Sequence, residues 1–356
     1  MSSFDTDKYL SAQLAAFDAK IEATDQPLVI EFGGKPFGDY HAARVLPGYD
    51  PDTKAAILRN LSRSLGNVSI TMAVNAQDVL APPDGRRIAK RIRGDTGLRY
   101  DEEAIRLAHQ ARGEFDIPVN SITLSVTPDT MSDENADYIA AYQEKVMAND
   151  IDFHLSRKVP HYPFVAQDDA IRELTTSPAI SERDQHALIL SPGGGSGKFG
   201  VAIGELAHKL VAGGNPNFVK FETFPVFKLP MDHPLNLAFL AATADLPNEL
   251  LRTESGLTNY DKDVENLALL QTLLAALRNT DSPMQAFREP TDMGVNVIEQ
   301  GITDIDGVNE ACRQEIIRRC ARYSDEAGEG DERQATIQRT EQYLATLAKK
   351  YGVSHG

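Results

Sequence analysis

Residues 187–212 decide the fold. Ala187-Leu188-Ile189-Leu190 is a short aliphatic run, Ser191-Pro192-Gly193-Gly194-Gly195-Ser196-Gly197-Lys198 is a glycine-rich turn, and 199–212 repeats apolar residues at helical spacing. Strand, tight loop and helix in immediate succession form the repeating unit of an α/β protein. The same alternation extends outward on both sides. Residues 27–32, 68–74, 122–126, 151–155 and 218–224 read as strands. Residues 51–65, the segment opened by Asp101, 133–148 and a stretch near 167–174 read as helices. The 51–65 helix has Asp50 as its expected N-cap, Pro51 at its first position and Gly66 past its end. Strands separated by helices of this length imply right-handed crossovers, so the expected fold is a mostly parallel, Rossmann-like sheet flanked by helices in three layers.

From about residue 225 the pattern changes. Segments 234–244, 261–278 and 307–322 read as helices joined by loops rich in Pro, Asn and Asp. The expected division is therefore an α/β part over 1–225 and a smaller, mostly helical part over 226–323. Residues 324–356 read as an acidic linker (SDEAGEGDER, 324–333) and a last helix over about 335–350 that the core can do without.

The chain has 356 residues, 42% hydrophobic and 25% charged, which excludes disordered, collagen-like and disulfide-scaffold proteins. Its 52 acidic and 36 basic residues give a net charge of −16, a field that repels a phosphate backbone, so nucleic acid is not an expected partner. Two cysteines eight positions apart on one helical pattern, Cys312 and Cys320, are too distant for a bridge and fit a reducing compartment. The N-terminal segment lacks a secretory h-region, and no apolar run is long enough to span a bilayer. A cytoplasmic protein with no membrane partner is expected.

The chemistry concentrates after strand ends. In the loop 191–198, glycines let backbone N–H groups turn inward, the following helix adds partial positive charge, and Lys198 adds a full one. This suits a phosphate, with Gly193, Gly194, Gly195, Ser196, Gly197 and Lys198 as the binding residues; the bland alternative is a flexible turn with a solvated lysine. The Walker A pattern is not met, because Pro192 stands where its first glycine belongs and Phe199 where its hydroxyl residue belongs. A second glycine turn, Gly33-Gly34, precedes Lys35, Asp39, His41 and Arg44, which offer cations and an acid/base group at the carboxyl edge. A third cluster, Lys220, Glu222, Asp232, His233 and Asn236, follows the last strand; His233 at a helix start is either a neutral base or a surface residue beside an Asp232 cap. Asp292 and Asn296 flank Gly294 in a polar turn, and Asp245 ends a helical pattern. The run Arg86, Arg87, Lys90, Arg91 and Arg93 reads as an exposed helix face. Neither H-E-x-x-H, paired C-x-x-C nor G-x-S-x-G occurs, so metal and serine-hydrolase readings carry little weight.

Several longer stretches carry a resemblance: FGGKPFGDYHAARVLPGYDPD (32–52), RGDTGLRYD (93–101), PGGGSGK (192–198), KFETFPVFKLPMDHPLNLAFLAATADL (220–246), PTDMGVN (290–296) and RQEIIRR (313–319). Through about residue 323 the chain resembles a bacterial family known as domain of unknown function 1846. The resemblance implies a cytoplasmic α/β protein with a sheet part, a smaller α+β part and a helical part. It carries no agreed activity, so it assigns no catalytic residue. Its matched polar positions are Lys35, Asp39, His41, Arg44, Arg93, Asp95, Lys198, Lys220, Glu222, His233, Asn236, Asp245, Asp292 and Asn296. Three departures stand out. Gly194 replaces the family's middle loop proline, Leu240 stands where the family has Glu, and typical members continue beyond this C-terminus.

The leading expectation is an enzyme acting on a phosphorylated small molecule or nucleotide, with ATP-dependent transfer or ligation as the first subclass. Catalytic roles fall to His41, His233 and Asp292, phosphate contacts to the glycine loop with Lys35 and Arg44, and substrate contacts to Lys220, Glu222, Asn236, Asp245 and Asn296. ATP with Mg²⁺ is the expected cofactor, with Mg²⁺ drawing ligands from Asp245 or Asp292. The alternatives are an ATP-independent lyase or hydrolase of a phosphorylated sugar or nucleoside, and a non-catalytic sensor of a phosphorylated ligand. Homo-oligomerisation is left open.

Overall fold

The computed structural model describes residues 2–80, 96–127, 129–157, 174, 178–221, 229–230, 232–242, 259–277, 281–325 and 341–346. The basic run at 86–93, most of the helix expected near 167–174, Asp95, Glu222, Asp245 and most of 324–356 lie outside them.

Six strands, β1 (Leu28–Phe32), β2 (Val68–Asn75), β3 (Ser121–Val126), β4 (Asp152–Arg157), β5 (His186–Leu190) and β6 (Asn217–Phe221), form one sheet in the order β4-β3-β2-β5-β1-β6. Every adjacent pair is parallel. Helices cover both faces, which gives the three-layer α/β architecture that the strand–helix alternation implied.

The period of two along each strand sorts its side chains into two cores. Leu28, Ile30 and Phe32 of β1, Ile70, Met72 and Val74 of β2, and Ile122, Leu124 and Val126 of β3 enter the first core. Helices Thr53–Leu65, Tyr100–Glu114, Ala136–Met147, Pro234–Ala242 and Ile305–Asp325 contribute to it, as does the N-terminal helix Thr6–Glu22. Val29, Ala73, Ala187, Ile189 and Phe218 face the other way, into a second core under helices Lys198–Val211 and Asn259–Ala276. The change of pattern near residue 225 thus coincides with the end of the sheet, and the helices after it add to both flanking layers.

Two helices carry little signal in the sequence. Thr6–Glu22 is capped by Asp5, whose carboxylate accepts from Lys8 N at 2.9 Å. It packs through Tyr9, Gln13 and Phe17, too few positions to mark a wide apolar stripe. Tyr40–Val45 is one short turn inside what reads as a polar loop, capped by the Asp39 carboxylate on Ala42 N at 3.1 Å. The 53–65 helix starts after Asp52, because Asp50 spends its side chain on Asp52 N at 2.9 Å and its carbonyl on Thr53 N at 3.0 Å.

The sheet's β6 edge does not end at β6. Gly294 bridges to Lys220 in parallel, and Val295 N donates to Lys220 O at 3.1 Å, so the 290–296 turn extends the edge. Gln13, fully buried, fixes that extension by donating to Val295 O at 2.8 Å and accepting from Val297 N at 3.1 Å.

The described part of the C-terminal segment packs against the core, a contact not expected of an unpacked tail. Residues 341–346 are helical, and Tyr343 and Leu344 pack against the first core. Half-burying two such side chains is worth about 1–3 kcal/mol. Replacing both with Ser should therefore lower the calorimetric Tm by several degrees, and an unchanged Tm would show that this packing contributes nothing.

Candidate functional site

In the order β4-β3-β2-β5-β1-β6, the connection leaving β2 runs toward β3 and the one leaving β5 runs over β1 to β6. The two diverge, which opens a crevice at the carboxyl ends of β2 and β5 where ligands of open α/β sheets bind. The glycine loop sits at that point. Asn75, the last residue of β2, spans to it by donating from Nδ2 to Gly195 O at 3.3 Å.

The loop is a compact turn rather than a flexible one. Gly195 and Gly197 hold φ of +76° and +86°, a region that other residues enter only with strain. Ser191 and Ser196 both donate to Gly193 O, at 2.8 and 3.1 Å. Lys198 opens the following helix and folds back beneath the loop, donating to Ser191 Oγ at 2.8 Å and Gly193 O at 3.4 Å. Its side chain is buried, which excludes the alternative of a flexible turn with a solvated lysine. Removing it would strand buried polar partners, at about 1–3 kcal/mol.

Next to β5, the carboxyl end of β1 carries the second glycine turn. Lys54, buried, reaches across it to Gly33 O at 3.2 Å and to the Asp39 carboxylate at 2.8 Å. Burial pushes the Asp39 carboxyl up, but the Lys54 ammonium outweighs this and holds it below its ordinary value. Lys35 is half-buried on this turn.

His41 and Arg44 both meet Glu315 of the Ile305–Asp325 helix. His41 Nδ1 lies 3.1 Å from Glu315 Oε1, and Arg44 Nε donates to Oε2 at 2.9 Å. Arg318 donates to both carboxylate oxygens at 2.7 Å and Arg319 to Oε1 at 2.9 Å. Burial works against the charged carboxylate, yet the Arg318 and His41 hydrogen bonds and the surrounding positive charge hold Glu315 well below the usual carboxylate range. An ionised Glu315 takes the Nδ1 proton of His41 as its hydrogen bond, which fixes the ring's tautomer. Burial lowers the His41 pKa, and although Glu315 opposes that, the net shift is downward, so the imidazole is neutral at pH 7.

The remaining expected residues hold structure together. His233 itself caps the Pro234–Ala242 helix, its Nδ1 accepting from Leu235 N at 3.2 Å, a task expected of Asp232. Asn236 is fully buried and donates to Leu229 O and Pro230 O at 3.2 and 2.9 Å. Asp292 accepts from Arg288 N and Glu289 N at 2.7 and 3.1 Å, and these bonds lower its pKa. Asn296 accepts from Ile298 N at 3.0 Å, while its Nδ2 is buried without a hydrogen-bond partner. Lys220 is ion-paired with Asp263, which also accepts from Asn266 at 3.0 Å.

The expected residues therefore fall into two groups at the carboxyl edge. The glycine loop and Lys220 belong to the second-core side, and His41, Arg44, His233 and Asn236 to helices packed on the first. Lys198 bonds within its own loop, whereas His41 bonds across to the Ile305–Asp325 helix. Sequence reasoning missed Lys54, Glu315, Arg318 and Arg319. The last three lie in the quoted RQEIIRR stretch, where an acid i−3 and i−4 from two arginines was a readable signal. Among the described residues no group of three His, Cys, Asp or Glu is placed to hold a metal ion, and no helix is long and apolar enough to cross a membrane.

Comparison with known proteins adds a family. The family profile described as "Domain of unknown function DUF1846, N-terminal" matches residues 2–348. A UPF0371 protein of Streptococcus pyogenes serotype M28 is 34% identical over 330 residues, covering 89% of this chain and 61% of that protein. A UPF0371 protein of Corynebacterium urealyticum is 34% identical over 327 residues, with the same coverage. The chain thus spans about 61% of the length of the curated relatives it matches. Neither the family description nor these names carries an activity.

The lowered His41 pKa has a consequence for stability. As pH falls below about 6.5, the unfolded chain takes up this proton before the folded one does. The contribution is complete above that pH and is lost as pH drops toward the lowered folded value. His41→Gln removes the dependence, so the stability gap between wild type and variant, measured by urea unfolding, should narrow from pH 7.5 to pH 5.5. A gap that does not change with pH would show that His41 does not titrate this way.

Proposed function

The chain belongs to the DUF1846 family, and from its glycine loop we propose that it is an enzyme acting on a phosphorylated small molecule or nucleotide at the carboxyl edge of the sheet. The observation that carries this reading is the placement of Lys198. A glycine loop with two residues at positive φ, at the diverging strand connections, delivers an ammonium to the start of a 14-residue helix. The first-turn N–H groups of that helix have no partner within it, and its dipole adds partial positive charge. Loop, lysine and helix start together favour a phosphate monoanion or dianion over any neutral ligand.

The proton-handling group on the neighbouring loop is His41. Glu315 orients its ring and burial keeps it neutral, the state from which an imidazole accepts a proton. Arg44 shares Glu315 and remains partly exposed, with 38% of its side-chain surface accessible, so it offers a cation on the same loop. ATP-dependent transfer is the first subclass to test. Phosphate seating is common to it and to an ATP-independent lyase or hydrolase, whereas nucleotide consumption separates them.

Binding is the first test. A compound seated on the loop stabilises the fold by about 2.7 kcal/mol at a concentration of 100 Kd. In a thermal-shift panel of inorganic phosphate, sugar phosphates and nucleotides, at least one should raise Tm clearly. Lys198→Gln keeps a polar group under the loop and should fold, yet lose most of that shift, whereas Lys8→Ala on the exposed N-terminal helix should keep it. A full shift in Lys198→Gln would reduce the loop to a turn and remove the main support for this function.

A further inference from the structure

The polar face of β3 extends this reading to the rest of the ligand. The strand reads Ser121-Ile122-Thr123-Leu124-Ser125-Val126, and its three apolar residues enter the first core. Ser121, Thr123 and Ser125 therefore point to the opposite face, where Ala73 of β2 enters the second core. Register sets Ser125 beside Asn75 of β2 and beside Ser156 of β4. A parallel strand buried on both faces is ordinarily apolar throughout. Here one face is lined with hydroxyls.

Some of these polar groups are used. Thr71 and Thr123 hydroxyls bond each other at 2.7 Å. Asn75 accepts from Gln77 N at 3.1 Å and donates to Gly195 O of the glycine loop. Ser125 differs: it is 1% exposed, and its hydroxyl has no hydrogen-bond partner. A buried orphan hydroxyl costs about 1–3 kcal/mol. This one sits near the carboxyl end of β3, opposite Asn75 of β2, the residue that donates to Gly195 O of the glycine loop.

We propose that Ser125, with Asn75 beside it, hydrogen-bonds the hydroxyl-bearing part of the ligand, so that the ligand is a sugar or polyol phosphate with its phosphate on Gly193–Lys198. The proposal rests on the phosphate reading of that loop. The polar residues of this face, Thr123, Ser125, Asn75 and Ser156, carry hydroxyls and an amide, and His154 next to Thr123 has its pKa lowered by burial, which disfavours its charged form. A second charge placed there would be desolvated and unpaired, whereas a sugar hydroxyl both donates to and accepts from Ser125.

Ser121 provides a matched control. It lies on the same face, is 2% exposed and also carries an unpartnered hydroxyl. Four residues back, it is about 13 Å from Ser125 at ~3.3 Å per residue, away from the carboxyl edge.

Calorimetric titration of the full chain with inorganic phosphate, ethyl phosphate, glycerol 3-phosphate, ribose 5-phosphate and AMP tests the proposal. At least one of the two hydroxylated phosphates should bind about fivefold to tenfold more tightly than ethyl phosphate, the worth of one good hydrogen bond. Ser125→Ala should abolish that advantage, leave inorganic phosphate affinity unchanged and leave the Tm of the free protein unchanged or higher. Ser121→Ala should change none of the affinities. An advantage that survives Ser125→Ala overturns the proposal, as does the lack of any advantage over ethyl phosphate while phosphate itself binds. AMP should gain nothing over ribose 5-phosphate; a gain that survives Ser125→Ala assigns recognition to a base and overturns it too. If neither inorganic phosphate nor any ester binds, the phosphate reading of the loop fails first, and this inference falls with it.

Discussion

The insertion of β5 between β2 and β1 is the constraint on which the molecule is built. β5 exchanges hydrogen bonds with both neighbours, Thr71 opposite Ile189 on one side and Glu31 opposite Ile189 on the other. Because all strands run parallel, every strand's carboxyl end falls on one edge, and each crossover must leave from that edge. A strand returning to the middle forces the connections after β2 and β5 apart. The glycine loop and the Asn75 contact to it both depend on that single placement.

Buried charge then pins the loops of this edge. Lys54 ties Asp39 to Gly33 O, Glu315 gathers His41, Arg44, Arg318 and Arg319, and Lys220 holds Asp263. Far from the edge, Lys209 is buried against Glu205 and donates to the 182 and 185 carbonyls at 2.6 and 2.7 Å. Such pairs are poor sources of net stability, because desolvation consumes most of their attraction. What they supply is geometry. Each joins an element of one layer to a loop or helix that apolar packing alone would leave free to slide, and losing one partner would leave the other buried and uncompensated. The Glu315 cluster is the clearest case, since it fixes the Ile305–Asp325 helix against the loop after β1, 271 residues away in sequence.

The same physics decides which features are legible in the amino-acid sequence. Apolar runs mark β1, β2, β3, β5 and β6, because burial on both sheet faces leaves a strong local signature, while the edge strand β4 is exposed or half-buried along most of its length and reads more weakly. The glycine loop is legible because strand, turn and helix agree over consecutive residues. The Thr6–Glu22 helix is less so, since one of its three fully buried positions is the polar Gln13 and Leu10, Leu14 and Ile21 are only partly buried. The role of Lys54 is not legible, nor is the reach of Glu315 to His41 and Arg44: those partners are distant in sequence, and the local Arg318 and Arg319 spacing marks an ion-pair cluster without showing what it holds. His233 and Asp292 read as proton carriers because residue type suggests chemistry, but backbone hydrogen bonds show that both close helical turns. The docking of Tyr343 and Leu344 is hidden by the acidic stretch before them, whose composition marks a linker but is silent about the helix beyond it.

The two sides of the sheet therefore divide the labour. On the first-core side, arginines and a histidine converge on one buried carboxylate, and the side chains there are held by each other. On the second-core side, β2 and β3 give up apolar contact for hydroxyls and an amide, some of them unpaired. Apolar replacements of similar size at Ser121 and Ser125 would relieve an orphan hydroxyl, so folding alone gives no reason to keep either. The orphan hydroxyl at the amino end of β3, on Ser121, lies away from the carboxyl edge. The one at the carboxyl end lies opposite Asn75, which itself donates to Gly195 O of the glycine loop. On the proposed reading, a ligand that supplies the missing partner recovers the stability lost at that end, which is how a site comes to favour its occupied state.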